Sequence, residues 1–302
     1  MGGSSYNVGI GRSSPGRSYS NQSAKTYESV KKAHPDVVPS GDRRVSTDAK
    51  NPIVIALDGT GSMGDSARIM LDKMPMFWGQ IEQKGYLEDP AVSFVVVGDA
   101  YTDQAPLQIT QFEKAKAIHP WLKKLWLEAG GGGQSMESYE LAALFFITKC
   151  SVPNMEHGFF FFIGDEGYYP ELDKQSTLPL FKELKNRFDT FMIHWPYTCG
   201  SKADEERIVK DWKEVFNECV ITLREPKAIV DVMLGLIAMR MGIKDVEGYA
   251  ADLKNKGQTD QRIHTVSDAI RPFEGSTLPA KRSNSTTHLF KNRDPFRSRR
   301  LI

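Results

Sequence analysis

The segment IVIALDGTGSMGD, residues 53–65, constrains this chain more than any other. Five apolar residues run straight into Asp58, and glycines alternating with hydroxyls come directly after it. An uninterrupted apolar run ending in a Gly-rich turn predicts a strand buried on both faces that delivers polar groups to a sheet edge. Three chemistries use such a turn: a dinucleotide fingerprint, an aspartyl phosphotransferase loop, and an oxygen cradle for a divalent cation.

The rest of the chain's hydrophobic pattern predicts an alternating α/β architecture. PIVIAL and AVSFVVVGD read as buried strands, separated by a helix from about Ser66 with Pro75 inside it. The loop AYTDQAP is too short for a crossover helix, so the next strand, LQITQFE, should run antiparallel at the sheet edge. KAKAIHPWLKKLWLEAG and MESYELAALFFITKC read as two helices flanking a glycine run. GFFFFIGDEG, TFMIHW and CVITL read as further strands, each succeeded by a helical pattern. The expected fold is a three-layer helix/sheet/helix sandwich, with six strands parallel except at one antiparallel edge. It should occupy residues 51–242, with a helical extension over 243–272.

Both ends differ from this body. Residues 1–50 are rich in Ser, Gly and Asn, and 273–302 repeat that bias with a basic excess; both read as flexible tails. Residues 1–50 carry eight Lys/Arg against four acids and 271–302 carry eight against two, although the whole chain has net charge +1. The body is therefore acidic. Lys281, Arg282, Lys291, Arg293, Arg297, Arg299 and Arg300, interleaved with Phe290 and Phe296, form a candidate surface for nucleic acid or for an acidic partner. No apolar run is long enough to span a bilayer, so no membrane partner is expected. MGGSSY lacks a signal-peptide core, and Tyr6 stands where a myristoylation motif wants a hydroxyl. Cys150, Cys199 and Cys219 are too scattered for a zinc knuckle and suit a reducing compartment, so the expected location is the cytoplasm.

Two of the three chemistries fail on particular residues. GTGSMG matches G-x-G-x-x-G, but the second strand ends at Asp99, well past the spacing of about 20 residues at which the ribose-binding acid stands. Asp58 would also face the pyrophosphate. ALDGT resembles the D-x-D-G-T loop of haloacid-dehalogenase-like phosphatases, but Ala56 occupies the nucleophile's place, and no aspartyl-phosphate can form without that carboxylate. The cation cradle survives. Asp58, Thr60 and Ser62 put three oxygens around one tight turn, as a hard cation such as Mg²⁺ or Mn²⁺ wants. GGGGQSMES adds Gln134, Ser135 and Glu137 at a helix start, and FIGDEG adds Asp165 at a strand end.

On these residues the chain resembles a von Willebrand factor A-type (vWA) domain with a metal-ion-dependent adhesion site. That family's site is marked by D-x-S/T-x-S after the first strand, a hydroxyl in a Gly-rich loop, and an Asp after the fourth. Asp58, Thr60 and Ser62 match the first element and Asp165 the last; where the family shows G-G-T, Ser135 is the residue that supplies a hydroxyl. Glu137, Gln134 and Asp99 are alternative or supporting ligands. The resemblance implies a binding module rather than an enzyme, in which a partner's Asp or Glu completes the coordination of the metal. Tyr101, Tyr168 and Tyr169 are candidate partner contacts at the rim. Intracellular relatives of this kind serve as adaptors, some beside AAA+ ATPases. A metal-dependent hydrolase would need a nucleophile–base pair, and His119, His157 and His194 supply none in the motif segments.

Overall fold

The computed structural model describes residues 32–130 and 135–275. Gln134 and the basic residues from Lys281 to Arg300 lie outside the described residues. Six strands form the central sheet: β1 (Asn51–Asp58), β2 (Pro90–Val97), β3 (Leu107–Ile109), β4 (Phe159–Gly164), β5 (Asp189–His194) and β6 (Val220–Thr222). Their order across the sheet is β6-β5-β4-β1-β2-β3. All neighbours pair in parallel except β3, which runs antiparallel to β2. Asp58 and Asp165 therefore leave adjacent strands at one edge of the sheet, Asp58 ending β1 and Asp165 standing just beyond β4.

Helices cover both faces. On one side lie α1 (Asp65–Lys84), α5 (Ile229–Arg240), α6 (Val246–Asn255) and α7 (Asp260–Ile270). On the other lie α2 (Tyr139–Thr148), α3 (Leu178–Arg187) and α4 (Lys202–Phe216). Strand alternation sorts the core accordingly. Ile53, Ile55, Phe159 and Phe161 join the first layer, while Val54, Ala56, Phe160 and Phe162 join the second. The four consecutive phenylalanines are fully buried. Each contributes roughly 1.5–3 kcal/mol relative to an exposed side chain. No helix among the described residues is long and apolar enough to cross a membrane.

Two expectations change. Of the tail expected to be flexible over residues 1–50, residues 1–31 lie outside the described residues and 32–50 pack on the body. Val37, Val45 and Ala49 are buried, Val45–Ser46 pairs in parallel with Cys150–Ser151, and the Ile109 N–H donates to the Val37 carbonyl at 2.7 Å. This segment supplies hydrogen-bond partners beside β3, an edge strand that would otherwise present bare backbone. Sparse apolar composition concealed it, since three well-placed small side chains suffice.

The helix expected over residues 114–130 shrinks to one turn, Ile118–Leu122, after a short 3-10 segment. Beyond it the Gln108 side chain brackets the Trp126 backbone, donating to its carbonyl at 2.7 Å and accepting from its N–H at 2.8 Å. The chain then reaches the β1 turn, where Ala129 N–H donates to the Gly59 carbonyl at 3.1 Å. Tertiary hydrogen bonds here outweigh helix propensity. The extension over 243–272 consists of two helices packed on the body. Tyr249, Leu253, Val266 and Ile270 belong to the same core as β1 and α1. Arg262 pins it, with its guanidinium on Asp231 at 2.9 Å and on Glu225 at 2.7 Å.

Candidate metal centre

The site is built where β1 and β4 end. Asp58 is fully buried, and its Oδ1 accepts from the Thr60 N–H at 2.9 Å and from the Thr60 hydroxyl. The Thr60 hydroxyl lies 3.2 Å from that of Ser62, which donates to Asp165 Oδ1 at 2.9 Å. An unbroken chain of oxygens thus runs from Asp58 through two hydroxyls to Asp165. The backbone of the turn is held from outside: Gly59 N–H donates to the Val97 carbonyl at 2.8 Å and Gly61 N–H to the Gly130 carbonyl at 2.6 Å. A Cβ at Gly61 would stand 3.0 Å from the Ala129 carbonyl oxygen, so glycine is what lets the two loops touch.

The other oxygen of Asp58, Oδ2, accepts from the Tyr139 hydroxyl at 2.7 Å. Tyr139 is fully buried at the start of α2, against Trp212 and Phe162. A Cβ on Gly164 would lie 1.8 Å from that hydroxyl, so the bond exists only because β4 ends in glycine. Tyr139 is part of the site, yet nothing in its spacing distinguished it from a core aromatic.

Glu137 and Glu166 complete an acidic cluster with Asp58 and Asp165. Met136–Glu137 pairs in parallel with Gly167–Tyr168, which sets the Gly-rich loop's exit beside the segment carrying Asp165 and Glu166. Glu166 stands close enough to Glu137 to raise it, and Ser62 and Glu137 in turn lower Glu166. Burial and then the charge of Asp58 push Glu137 up to about 12, Asp165 to about 8 and Glu166 to about 7. Burial raises Asp58 as well, against the pull of its hydrogen bonds from Thr60 and Tyr139. Two acceptors in this cluster, Asp165 Oδ2 and Glu137 Oε2, are buried with no hydrogen-bond partner. Glu166 adjoins Asp165 in sequence and escaped notice because an acid after a site Asp carries no motif signal of its own.

The other candidates have more varied surroundings. Ser135 adopts φ 56°, and its hydroxyl donates to the Tyr197 hydroxyl at 3.4 Å. Asp99 is buried, with Oδ1 accepting from the Tyr101 N–H and the Tyr169 hydroxyl, and Oδ2 from the Thr102 hydroxyl. It organises its own loop. Tyr169 is correspondingly buried, and Tyr168 packs against Phe181 and Trp212. Tyr101 alone of the three tyrosines is on the surface, 72 % exposed and tilted on Tyr169 with ring centroids 4.8 Å apart. His194 is buried with Nε2 3.0 Å from Glu205, so it is part of the scaffold of the β5 end.

The donor set is two carboxylates and neutral hydroxyls, hard oxygen ligands of the kind that Mg²⁺ and Mn²⁺ accept. Among the described residues no group of three or more His, Cys, Asp or Glu side chains is arranged to hold a metal ion. What favours a cation is the cluster's charge balance. Its acids are raised by burial and by one another, and two of their oxygens lack donors.

No family model matches the sequence, and no curated protein matches it. Among solved structures, the pilus adhesin SpaC from Lactobacillus rhamnosus GG, in its open conformation, aligns over 67 % of this chain at 11 % identity and a TM-score of 0.47. The chain spans 31 % of that adhesin's length. Proximal thread matrix protein 1 from the mussel byssus aligns over 66 % of this chain and 49 % of its own, at 9 % identity and a TM-score of 0.45. An aerotolerance-related membrane protein from Bacteroides fragilis NCTC 9343 aligns over 62 % of this chain and 98 % of its own, at 14 % identity and a TM-score of 0.36.

Proposed function

We propose that this chain is a divalent-cation-dependent protein-interaction module of the vWA type, with Asp58, Thr60, Ser62 and Asp165 holding Mg²⁺ or Mn²⁺. The observation that carries this reading is the continuous oxygen chain from Asp58 through Thr60 and Ser62 to Asp165, ending on a buried carboxylate oxygen without a donor. A bound cation would neutralise these carboxylates and offer an open coordination position. The chain's own residues do the rest. Tyr139 and the Thr60 N–H fix the rotamer of Asp58, the glycines bring the backbone close, and Tyr101 stands exposed on a loop beside the site. An acidic side chain of a partner protein suits the open position, and the role is binding rather than catalysis. An adaptor place in a larger assembly, such as an AAA+ ATPase complex, is drawn from the family resemblance.

The test is calorimetric titration of Mg²⁺ and Mn²⁺ into the full-length chain beside Asp58→Ala. Saturable binding by the wild type that Asp58→Ala abolishes is expected, with the variant keeping its far-UV circular dichroism. Equal affinity in both proteins would overturn the assignment of the site.

A further inference from the structure

The central sheet has two edges, and the chain treats them differently. At β3 the edge is covered, with the Ile109 N–H donating to the Val37 carbonyl at 2.7 Å. At β6 no strand pairs on the outer side among the described residues. The Leu223 N–H donates to the His194 carbonyl of β5 at 2.9 Å, so the backbone of Thr222, one residue earlier, points the other way. Thr222 is exposed, and among the described residues no backbone group pairs with it on that outer side. An edge that presents bare N–H and C=O groups is a template for a further strand.

The space beside this edge is shaped to take one. A groove of about 500 Å³ lies between β6 and one face of α7, lined by His264, Thr265, Asp268 and Ala269, with Pro272 and Phe273 completing it. A strand edge facing a helix across a groove is how several peptide-binding domains accept an extended segment. The chain leaves its described body at this same groove. Phe273 is anchored on β5, its ring edge-on to Phe191 with centroids 5.4 Å apart, and residues 276–302 follow two positions later. That flank carries seven Lys/Arg against one acid, and the acidic body attracts it. Within it, TTHLFK at residues 286–291 has the β-branched and aromatic composition of a strand, bounded by SNS before and NRDP after.

We propose that residues 286–291 of this chain add as a strand to the free edge of β6 and fill the groove against α7. The occupant is the chain's own flank because that flank starts there. Residues 276–285 reach roughly 33 Å when extended, against about 10 Å for the three residues of β6. Tethering at so short a distance sets an effective concentration on the order of mM, enough to fill a weak site. Leu289 and Phe290 are consecutive, so an added strand turns one toward the layer of α7 and the other toward the layer of α4. The edge is then closed to a second copy of the chain, and an extended peptide from a partner must displace the flank to reach β6. The inference is independent of the cation centre.

The experiment is amide hydrogen exchange on the full-length chain, read at Thr222 and Leu223, comparing wild type with the double variant His288→Pro, Phe290→Pro. Proline removes backbone donors and is excluded from paired strand positions. The Thr222 N–H should exchange at least about 10-fold faster in the variant. The Leu223 N–H, bonded to β5, should keep its wild-type rate and so reports that the sheet is intact. If Leu223 accelerates as well, the double variant Leu289→Ser, Phe290→Ser, which keeps every backbone donor, carries the test with the same expectation. Equal exchange of Thr222 in wild type and variants would overturn the inference. Protection of Thr222 that is lost when the wild type is diluted would also overturn it, and would assign the edge to a second copy of the chain.

Discussion

At the scale of single residues, the site depends on groups that fix Asp58 as much as on Asp58. The Tyr139 hydroxyl is the one side-chain donor to Asp58 Oδ2 among the described residues. Replacing it by phenylalanine leaves a fully buried carboxylate oxygen without that bond, which costs roughly 1–3 kcal/mol. Tyr139→Phe is therefore expected to lower the melting temperature in chelator and to weaken Mg²⁺ binding without altering the fold. A melt and a titration on the same sample check both. Unchanged values would mean that Tyr139 is only a core aromatic. The Asp58 turn was legible as DGTGS because its ligand spacing is local. Tyr139, Glu166 and the free oxygen of Glu137 were not, since a side chain 81 residues from Asp58 becomes its neighbour only when β1, β4 and α2 pack.

At the scale of elements, β4 is the strand that couples the two helical layers. Phe161 stacks on Phe191 of β5 with centroids 5.4 Å apart, and it belongs to the layer of α1 and α5. Phe161→Ala is expected to destabilise the chain by about 3–5 kcal/mol, because rigid sheet neighbours cannot collapse into the cavity. Urea unfolding monitored by tryptophan fluorescence measures it, and a loss below about 1 kcal/mol, nearer the size of a surface change, would contradict the packing described. Strands β1, β2 and β4 were readable because long apolar runs have few alternatives. Residues 123–130 were misread as helix since Leu, Lys and Glu favour it locally. Gln108 and the Gly59 carbonyl, which claim their backbone, are distant in sequence.

At the scale of the whole molecule, burying four acids at one sheet edge makes stability depend on pH and on cation. The folded state raises Asp165 and Glu166, and also Glu140, whose burial in α2 lifts it to about 8. A group raised on folding holds a proton that the unfolded chain releases. Its stabilisation is complete below the unfolded value and is lost as pH rises through the folded one. Buried His194, lowered by desolvation, acts in the opposite sense below its ordinary value of 6.5, so the acids dominate above that. In chelator the melting temperature should fall between about pH 6.5 and 8.5, and excess Mg²⁺ should reduce that fall by neutralising the cluster. Differential scanning calorimetry with and without Mg²⁺ tests this; a melting temperature that rises over the same window would contradict it. By itself the sequence determined the strand order of the motifs, the antiparallel β3 and the oxygen-bearing turn after β1, because apolar periodicity and glycine spacing act over a few residues. Only the tertiary structure decided that residues 32–50 cap the sheet, that Tyr168 is core, and that Glu137 faces Glu166 with one oxygen unpaired. The physical reason is that burial and the pairing of charges are properties of surfaces brought together, and no single segment carries them.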